Sequence, residues 1–577
     1  MLAAHPEELF GLHVVDLAVL AAYLVGITAV GMWMARRVHD IGDFFMPRRF
    51  GKAMMVMHAF GTGTHSDQAV SVASKTFTNG LSGIWYQWLW LFATPFYWLI
   101  APLMRRFRAI TTADVFEARY DRSVAMLYAV IGMFTLMLNI GVMLKGSGAV
   151  VAASTGGAVD VNWAIGIMTV LFVAYGVAGG LGAAIVTDFI QGILTVVFSF
   201  LLLPYVLAAV GGLAGLHEKI TDPHMFSLVA PREIGLFYIV VIALNALVGI
   251  VTQPHTMGNC AAGRTEMDGR VGFMGGNLIK RICTVAWCLT GLAAVAHYAG
   301  REVDPDKVYG LMASEFLPKI LPGMLGIFLA SLLASVMSSC DSFMIASSGL
   351  FTENVYKVVF ANRSDRHYVL VGRITALAVV AGGVLFAYRL SNVIEGLEIF
   401  WKIAPMMGIA FWLGLFWRRT TVAGAWAATL TALGIWWLSG RQIIIDLLGR
   451  LPAAETLRFV FVEDGAAEVY LPWQMVFYLS GGTLAGIVVS LLTRPVAGEK
   501  LERFYALART PGRPGEDLRR PCTLPEGAAV PPRRNLLGNS SSLEIPVPSR
   551  TSVVGFLVGW GFVAAIILAF WLISRAT

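Results

Sequence analysis

Charge is scarce in this chain: Asp, Glu, Lys and Arg make up 14% of its 577 residues, while 57% are hydrophobic. A soluble protein of that length carries far more charge, because its surface must meet water. Soluble folds are excluded. Cysteine is scarce too, and Cys260, Cys283, Cys288, Cys340 and Cys522 show the spacing of neither a disulfide framework nor a zinc site. No His-Glu-x-x-His pair, Gly-x-Ser-x-Gly elbow or phosphate loop occurs, so the chain does not read as an enzyme. Nor is a cleavable leader expected: the first apolar run is too long and meets Arg36 and Arg37 instead of a small-residue cleavage site.

What is present is a succession of apolar runs. Windows of about 20 such residues, the length of a span, fall near 12–35, 53–76, 81–104, 123–152, 162–178, 185–210, 234–256, 278–299, 322–352, 369–390, 398–416, 421–439, 472–493 and 553–574. The expected fold is an all-α polytopic membrane protein with about fourteen spans. Basic residues after the first, third, seventh and eleventh spans, among them Arg48, Arg105, Arg264 and Arg418, place those loops in the cytoplasm and both termini outside. The stretch Arg494 to Arg550, rich in Pro, Arg and Ser, reads as a partly disordered cytoplasmic linker.

Two spans are interrupted. The second holds FGTGTHSDQ (60–68) and the seventh GIVTQPH (249–255), where glycine weakens a helix and Pro254 removes a backbone donor. Irregular backbone at membrane depth is tolerated only where it lines a cavity. The two breaks lie five helices apart, an odd number, so their units have opposite orientations. That is the pattern of an inverted-repeat transporter with its site at the repeat interface. The expected organisation is a peripheral helix and loop (1–52), a first repeat (53–230), a second repeat (231–420), peripheral helices (421–493), the linker (494–551) and a last span (552–577).

In the ninth span, SLLASVMSSCDS (331–342) sets Ser335, Ser338, Ser339 and Ser342 at i, i+3, i+4 and i+7, one stripe of a helix. Such a stripe, with Asp341 beside it, either lets helices approach closely or presents hard oxygens to a small cation.

Four segments together resemble the sodium/solute symporter family, which includes sodium/sugar, proline and pantothenate cotransporters. They are YGVAGGLGAAIVTDFIQG (175–192), VTQPHTMGNCAAGRTE (251–266), LASLLASVMSSCDSFMIASSGLFTENVYK (329–357) and GLFWRRTTVAGAW (414–426). The resemblance spans roughly 12–440. It implies a leucine-transporter-type core of two five-helix inverted repeats with about four peripheral helices, and a symporter that couples sodium entry to uptake of a small polar organic solute. The partners it implies are Na+, the solute and the bilayer, with no nucleic acid and no obligate protein partner.

By the same likeness, the main sodium site takes the carbonyls of Gly61, Thr64 and Ser335 and the hydroxyls of Ser338 and Ser339. An unwound helix supplies carbonyls that have lost their intrahelical donors, and a hard cation wants several oxygens. Asp188 matches the aspartate of the family's Thr-Asp…Gln signature; Asp341 has no counterpart in the sugar-transporter pattern. Intramembrane carboxylates are costly and by default functional. Asp188 and Asp341, with Ser338 and Ser342, form a possible second cation site; the alternative is that Asp341 is protonated or pairs with Lys145 or Lys402.

The solute is expected against the broken helices. Its candidate contacts are His65, Ser66, Asp67 and Gln68 on the second span, Gln87 on the third, and Asn245 and Gln253 on the seventh. Asp67 leads, because packing does not explain a carboxylate beside unwound backbone. Trp85 and Trp88 are either aromatic cover for the solute or interfacial anchors. Leu397 and Val248 replace a sugar-contacting glutamine and a gating tyrosine of the sugar carriers, so a sugar in the usual pose is doubtful.

Overall fold

The computed structural model describes residues 8–36, 44–230, 234–452, 454–463, 466–516 and 520–575. Most of it is helix, with two small antiparallel strand pairs, Glu8–Leu9 with Leu12–His13 and Val460–Glu463 with Ala466–Val469. Exposed apolar side chains such as Val25, Val130, Leu244, Leu385 and Leu568 cover the outward faces. A surface this apolar suits hydrocarbon and not water. The protein is a multi-pass membrane protein.

Among the described residues ten helices are long and apolar enough to cross a bilayer, or eleven if one bent pair counts as a span. Fourteen is not reached. The three windows left over are those whose helices are interrupted or short. The window 53–76 divides into α2 (Lys52–Gly63) and α3 (Ser66–Asn79), after α1 (Val14–Ala35). The window 81–104 starts in short turns and becomes α4 (Thr94–Arg106) only in its second half. The window 162–178 holds a 14-residue apolar helix, Val161–Ala174. Apolar content was legible there; continuity was not.

The core follows in order: α5 (Thr112–Arg119), α6 (Arg122–Ser154), α7 (Val161–Leu201), α8 (Leu236–Ile250), α9 (His255–Ala261), α10 (Glu266–His297) and α11 (Met324–Phe351). α7 kinks at Gly180, whose φ of 62° and ψ of −171° take the chain out of the helix. A Cβ there would come within 2.7 Å of the Phe44 carbonyl oxygen. Glycine is required on both counts. The outer helices are α12 (Asp365–Arg389), α13 (Val393–Phe416), α14 (Val422–Ser439), α15 (Leu471–Leu492), α16 (Gly498–Arg509) and α17 (Arg550–Ser574).

The segment 494–551, expected as a partly disordered linker, is docked where described. α16 buries Leu501, Phe504, Tyr505 and Leu507 against the protein. Farther on, the Glu544 amide donates to the Phe416 carbonyl at 2.7 Å and Arg418 pairs with both Glu502 and Glu544. The buried Arg108 grips Glu516 through two hydrogen bonds of 2.7 and 2.8 Å. Composition suggested a solvated tether, but its scattered apolar and acidic residues find specific partners on the basic ends of the spans.

The Arg108 pair gives the docked segment a pH dependence. Burial alone would raise the Glu516 carboxyl, but hydrogen bonds from Arg108 and the Arg513 amide outweigh it and hold the group below its usual range. A depressed carboxyl stabilises docking above its free pKa of about 4.3, and that contribution is lost as pH falls through the docked value. Acidification below about pH 4 should therefore expose residues 510–516 to amide exchange. Glu516→Gln should exchange faster at neutral pH and lose the acid step; hydrogen–deuterium exchange in nanodiscs reads both.

Candidate functional site

The break between α2 and α3 is two residues long. Thr64 (φ −129°, ψ 109°) and His65 (φ −137°, ψ 162°) are extended, so the helix stops after Gly61-Thr62-Gly63 and restarts at Ser66. The last carbonyls of α2 and the first amides of α3 thus lose their intrahelical partners at membrane depth. α11 lies directly against this break. Ser335, Ser338, Ser339 and Ser342 are all buried.

Ser339 joins the two elements. Its hydroxyl contacts the Gly61 carbonyl at 2.9 Å and the Ser335 carbonyl at 3.2 Å. Three of the five expected sodium ligands therefore converge on one point. The fit is close: a Cβ on Gly61 would stand 2.6 Å from the Ser338 hydroxyl oxygen. The Ser338 hydroxyl turns to the Asp188 carboxylate of α7 at 2.5 Å. Thr64 is buried beside them, and its hydroxyl has no protein hydrogen-bond partner.

Asp188 is held on both oxygens. Ser338 takes one, and Nδ1 of His58 on α2 lies 2.6 Å from the other. The network continues from His58 to Thr62 (3.2 Å) and from Thr62 to Ser342 (3.1 Å). Asp188, Ser338 and Ser342 thus share one buried polar network. Asp341 points elsewhere, its carboxylate packed against Gly176 of α7. Lys402, one of its suggested partners, lies 3.8 Å from Glu398.

The solute candidates fall into two groups. His65 and Asp67 are in direct contact, Ser66 meets Ser147 at 2.5 Å, and Gln68 reaches the Gly63 carbonyl at 3.2 Å and His65 at 3.0 Å. These four surround the break. Gln87 is fully buried with neither amide atom hydrogen-bonded to protein, and the same holds for one oxygen each of Asp67 and Gln68. Asn245 differs: its amide donates to the Trp401 carbonyl at 2.9 Å and accepts from Tyr478 at 2.5 Å. In this conformation it braces helices. Gln253 lies buried at the second break, where α8 and α9 meet at 71°. Phe343 of α11 connects the breaks, its ring 6.4 Å from that of His65 and 4.6 Å from that of His255.

Trp85 and Trp88 are not exposed to lipid as interfacial anchors would be. Both are buried, donating to the carbonyls of Leu228 at 2.7 Å and Arg281 at 3.1 Å.

Two residues at the site escaped sequence reasoning. Nothing local in the sequence ties His58 to Asp188, 130 positions away. Lys280 carries a signal in the sequence, a lysine inside the apolar stretch 278–299. Its ammonium donates to the Gly63 carbonyl at the break and sits 5.4 Å from the centre of the Trp90 ring. Trp90 in turn meets Trp401 at 6.2 Å, and Trp401 meets Tyr86 at 5.3 Å. The indole N–H of Trp401 is buried and has no protein acceptor.

A buried lysine, an aromatic wall and several unmatched amide groups so surround the first break on one side. On the other, His58, Thr62, His255, Asn259 and Ser342 line a cavity of about 30 Å³. That holds about two waters, not an organic solute.

Residues 44–432 match the profile of the Sodium:solute symporter family. The chain is 27% identical over 515 residues to the osmoregulated proline transporter OpuE of Bacillus subtilis (strain 168), covering 85% of this chain and 97% of that protein. It is 24% identical to the sodium/pantothenate symporter of Escherichia coli (strain K12), covering 76% and 93%. Among solved structures it resembles a Na+-coupled sialic acid symporter in a substrate-bound outward-open state, with a TM-score of 0.67 at 19% identity over 84% of this chain and 98% of that one. At that identity the likeness speaks for the fold.

Proposed function

Since the chain belongs to the sodium:solute symporter family, whose members are transporters, we propose that it imports a small polar organic solute by alternating access, driven by sodium. The observation that carries the ion assignment is the Ser339 hydroxyl lying between the carbonyls of Gly61 and Ser335. In this reading those oxygens turn from one another onto Na+, joined by the Thr64 carbonyl and the Ser338 hydroxyl. All are hard neutral oxygens, which suits a monovalent hard cation. The core is then two inverted repeats, 53–230 and 231–420, with 421–493 and 552–577 peripheral and both termini outside.

A second cation position belongs to the same reading, at Asp188 and Ser342, and Asp341 would have to turn from Gly176 to join it. An ion there would displace His58 from Asp188 or share it. The His58–Asp188 pair also favours a second reading, a proton as coupling ion, because an imidazole beside a carboxylate can accept and pass one. One sodium ion supplies about 2.3 kcal/mol per 100 mV and about 1.4 kcal/mol per tenfold gradient.

The solute in this proposal carries an electron-rich or anionic end. Lys280, buried beside the unwound backbone, is placed to meet it, with Gln68 and Gln87 as further hydrogen-bonding groups and Trp90 and Trp401 as apolar cover. Asp67 and His65 shape the same wall.

Uptake into liposomes tests the coupling. With an inward sodium gradient, a screen of labelled amino acids, carboxylates, polyols and sugars should find one class that accumulates. Accumulation should vanish when potassium or choline replaces sodium. Accumulation that persists and follows a proton gradient would replace sodium with a proton in this scheme.

A further inference from the structure

A second cavity lies away from the ion and solute site. It is a groove of about 1080 Å³ between α4, α13 and α15, closed at one end by the strap 531–549. Its long wall is apolar: Leu99, Leu103, Trp412, Phe416, Leu479 and Ile487 line it. Leu99 is 37% exposed and Phe416 38%, so the wall opens sideways to the surface that faces hydrocarbon.

The other end is basic. Arg106, Arg270, Arg509, Arg533 and Arg534 line it, with Glu544 the one carboxylate among the lining residues described. Arg106 is the last residue of α4 and Arg270 stands in the first turns of α10, so the charge collects where those helices end, beside the docked α16 that carries Arg509. The local carboxylates do not balance it. Counting Arg418, six arginines share three carboxylates: Glu266 holds Arg106, Glu502 meets Arg418 and Arg509 (3.8 Å), and Glu544 meets Arg418 and Arg533 (3.0 Å). Arg270 donates to the Trp98 carbonyl and the Ser552 hydroxyl and lies over the Trp98 ring, and Nε and Nη1 of Arg509 are buried with no hydrogen-bond acceptor.

An apolar trough opening to the bilayer and ending in unbalanced arginines at interface depth matches one molecule in both parts. Guanidinium groups suit phosphate oxygens, and the trough suits acyl chains. We propose that this groove binds an anionic glycerophospholipid, headgroup on the arginines and acyl chains along α4, α13 and α15. Because residues 531–549 form part of the groove, an occupied site would also clamp the strap to the inner ends of the spans.

The test uses the full chain in detergent, stripped of lipid and offered equal amounts of phosphatidylglycerol and phosphatidylcholine with identical acyl chains. Native mass spectrometry should show phosphatidylglycerol retained in preference. Arg509→Gln with Arg534→Gln should reduce that preference about thirtyfold, at about 1 kcal/mol for each basic residue near a charged membrane surface. Leu103→Trp, which leaves every arginine in place, should expel the lipid by filling the trough. A melting temperature matching the parent shows that either variant is folded. Equal retention of the two lipids, or a Leu103→Trp protein that still holds phosphatidylglycerol, overturns the proposal. So does displacement of bound lipid by millimolar inorganic phosphate, or a lipid-free dimer mass.

Discussion

Replacing Ser338 and Ser339 together by alanine is expected to raise the sodium concentration for half-maximal uptake by about a hundredfold. A hydrogen-bonding or ligating contact to a charged group contributes about 1.5 kcal/mol or more, so two give about 3 kcal/mol, or a factor above 100. The substitutions remove the hydroxyl between Gly61 and Ser335 and the one that ties Asp188 to α11. The first loss leaves the Gly61 carbonyl with only the Thr64 amide, at 3.3 Å. Maximal velocity at saturating sodium should change less, because the solute contacts proposed on the other side of the break are untouched. A sodium titration of uptake at fixed solute decides it. Half-saturation left where it was would remove these hydroxyls from the ion site, and with them the argument from the broken helix.

The second large effect is expected at Lys280. Changing it to methionine preserves the chain's length and removes the charge. If Lys280 serves the solute, the solute KM should rise about a hundredfold, since a buried charge left without its partner costs about 3 kcal/mol. Sodium-dependent changes in tryptophan fluorescence should persist without solute, because Lys280 meets the break at the Gly63 carbonyl and not at Gly61. Stability separates the two roles Lys280 can have. An ammonium buried at bilayer depth is costly, so a solute-binding lysine should leave a methionine variant as stable as the parent or more so. A lysine that only ties α10 to the break should leave it less stable. Unchanged transport with a lowered Tm would assign Lys280 to structure alone.

Much of the site was legible because helix breaking and helix periodicity are local. Gly61, Gly63 and Pro254 marked both interruptions from their backbone chemistry, and the serine spacing placed four hydroxyls on one face of α11 before any packing was known. The span count suffered from the reverse of the same fact. Windows such as 53–76 and 81–104 are apolar enough to cross, yet their helices are interrupted, and apolar content does not report continuity. Asn245 shows a different limit. A polar residue near the second break reads as a solute contact, but its neighbours Trp401 and Tyr478, 156 and 233 positions away, occupy both ends of its amide.

The amino-acid order alone determined the membrane class, the two unwound places and the face on which the oxygens stand. Each is set by residues within about two helical turns of one another. Only the assembled helices decided which carbonyl meets which hydroxyl, that His58 rather than open space faces Asp188, that Lys280 reaches the break from 217 positions away, and that the basic tail is docked. Those contacts depend on how rods of similar apolar surface pack, and small changes in crossing angle would pair different side chains. No local pattern records them.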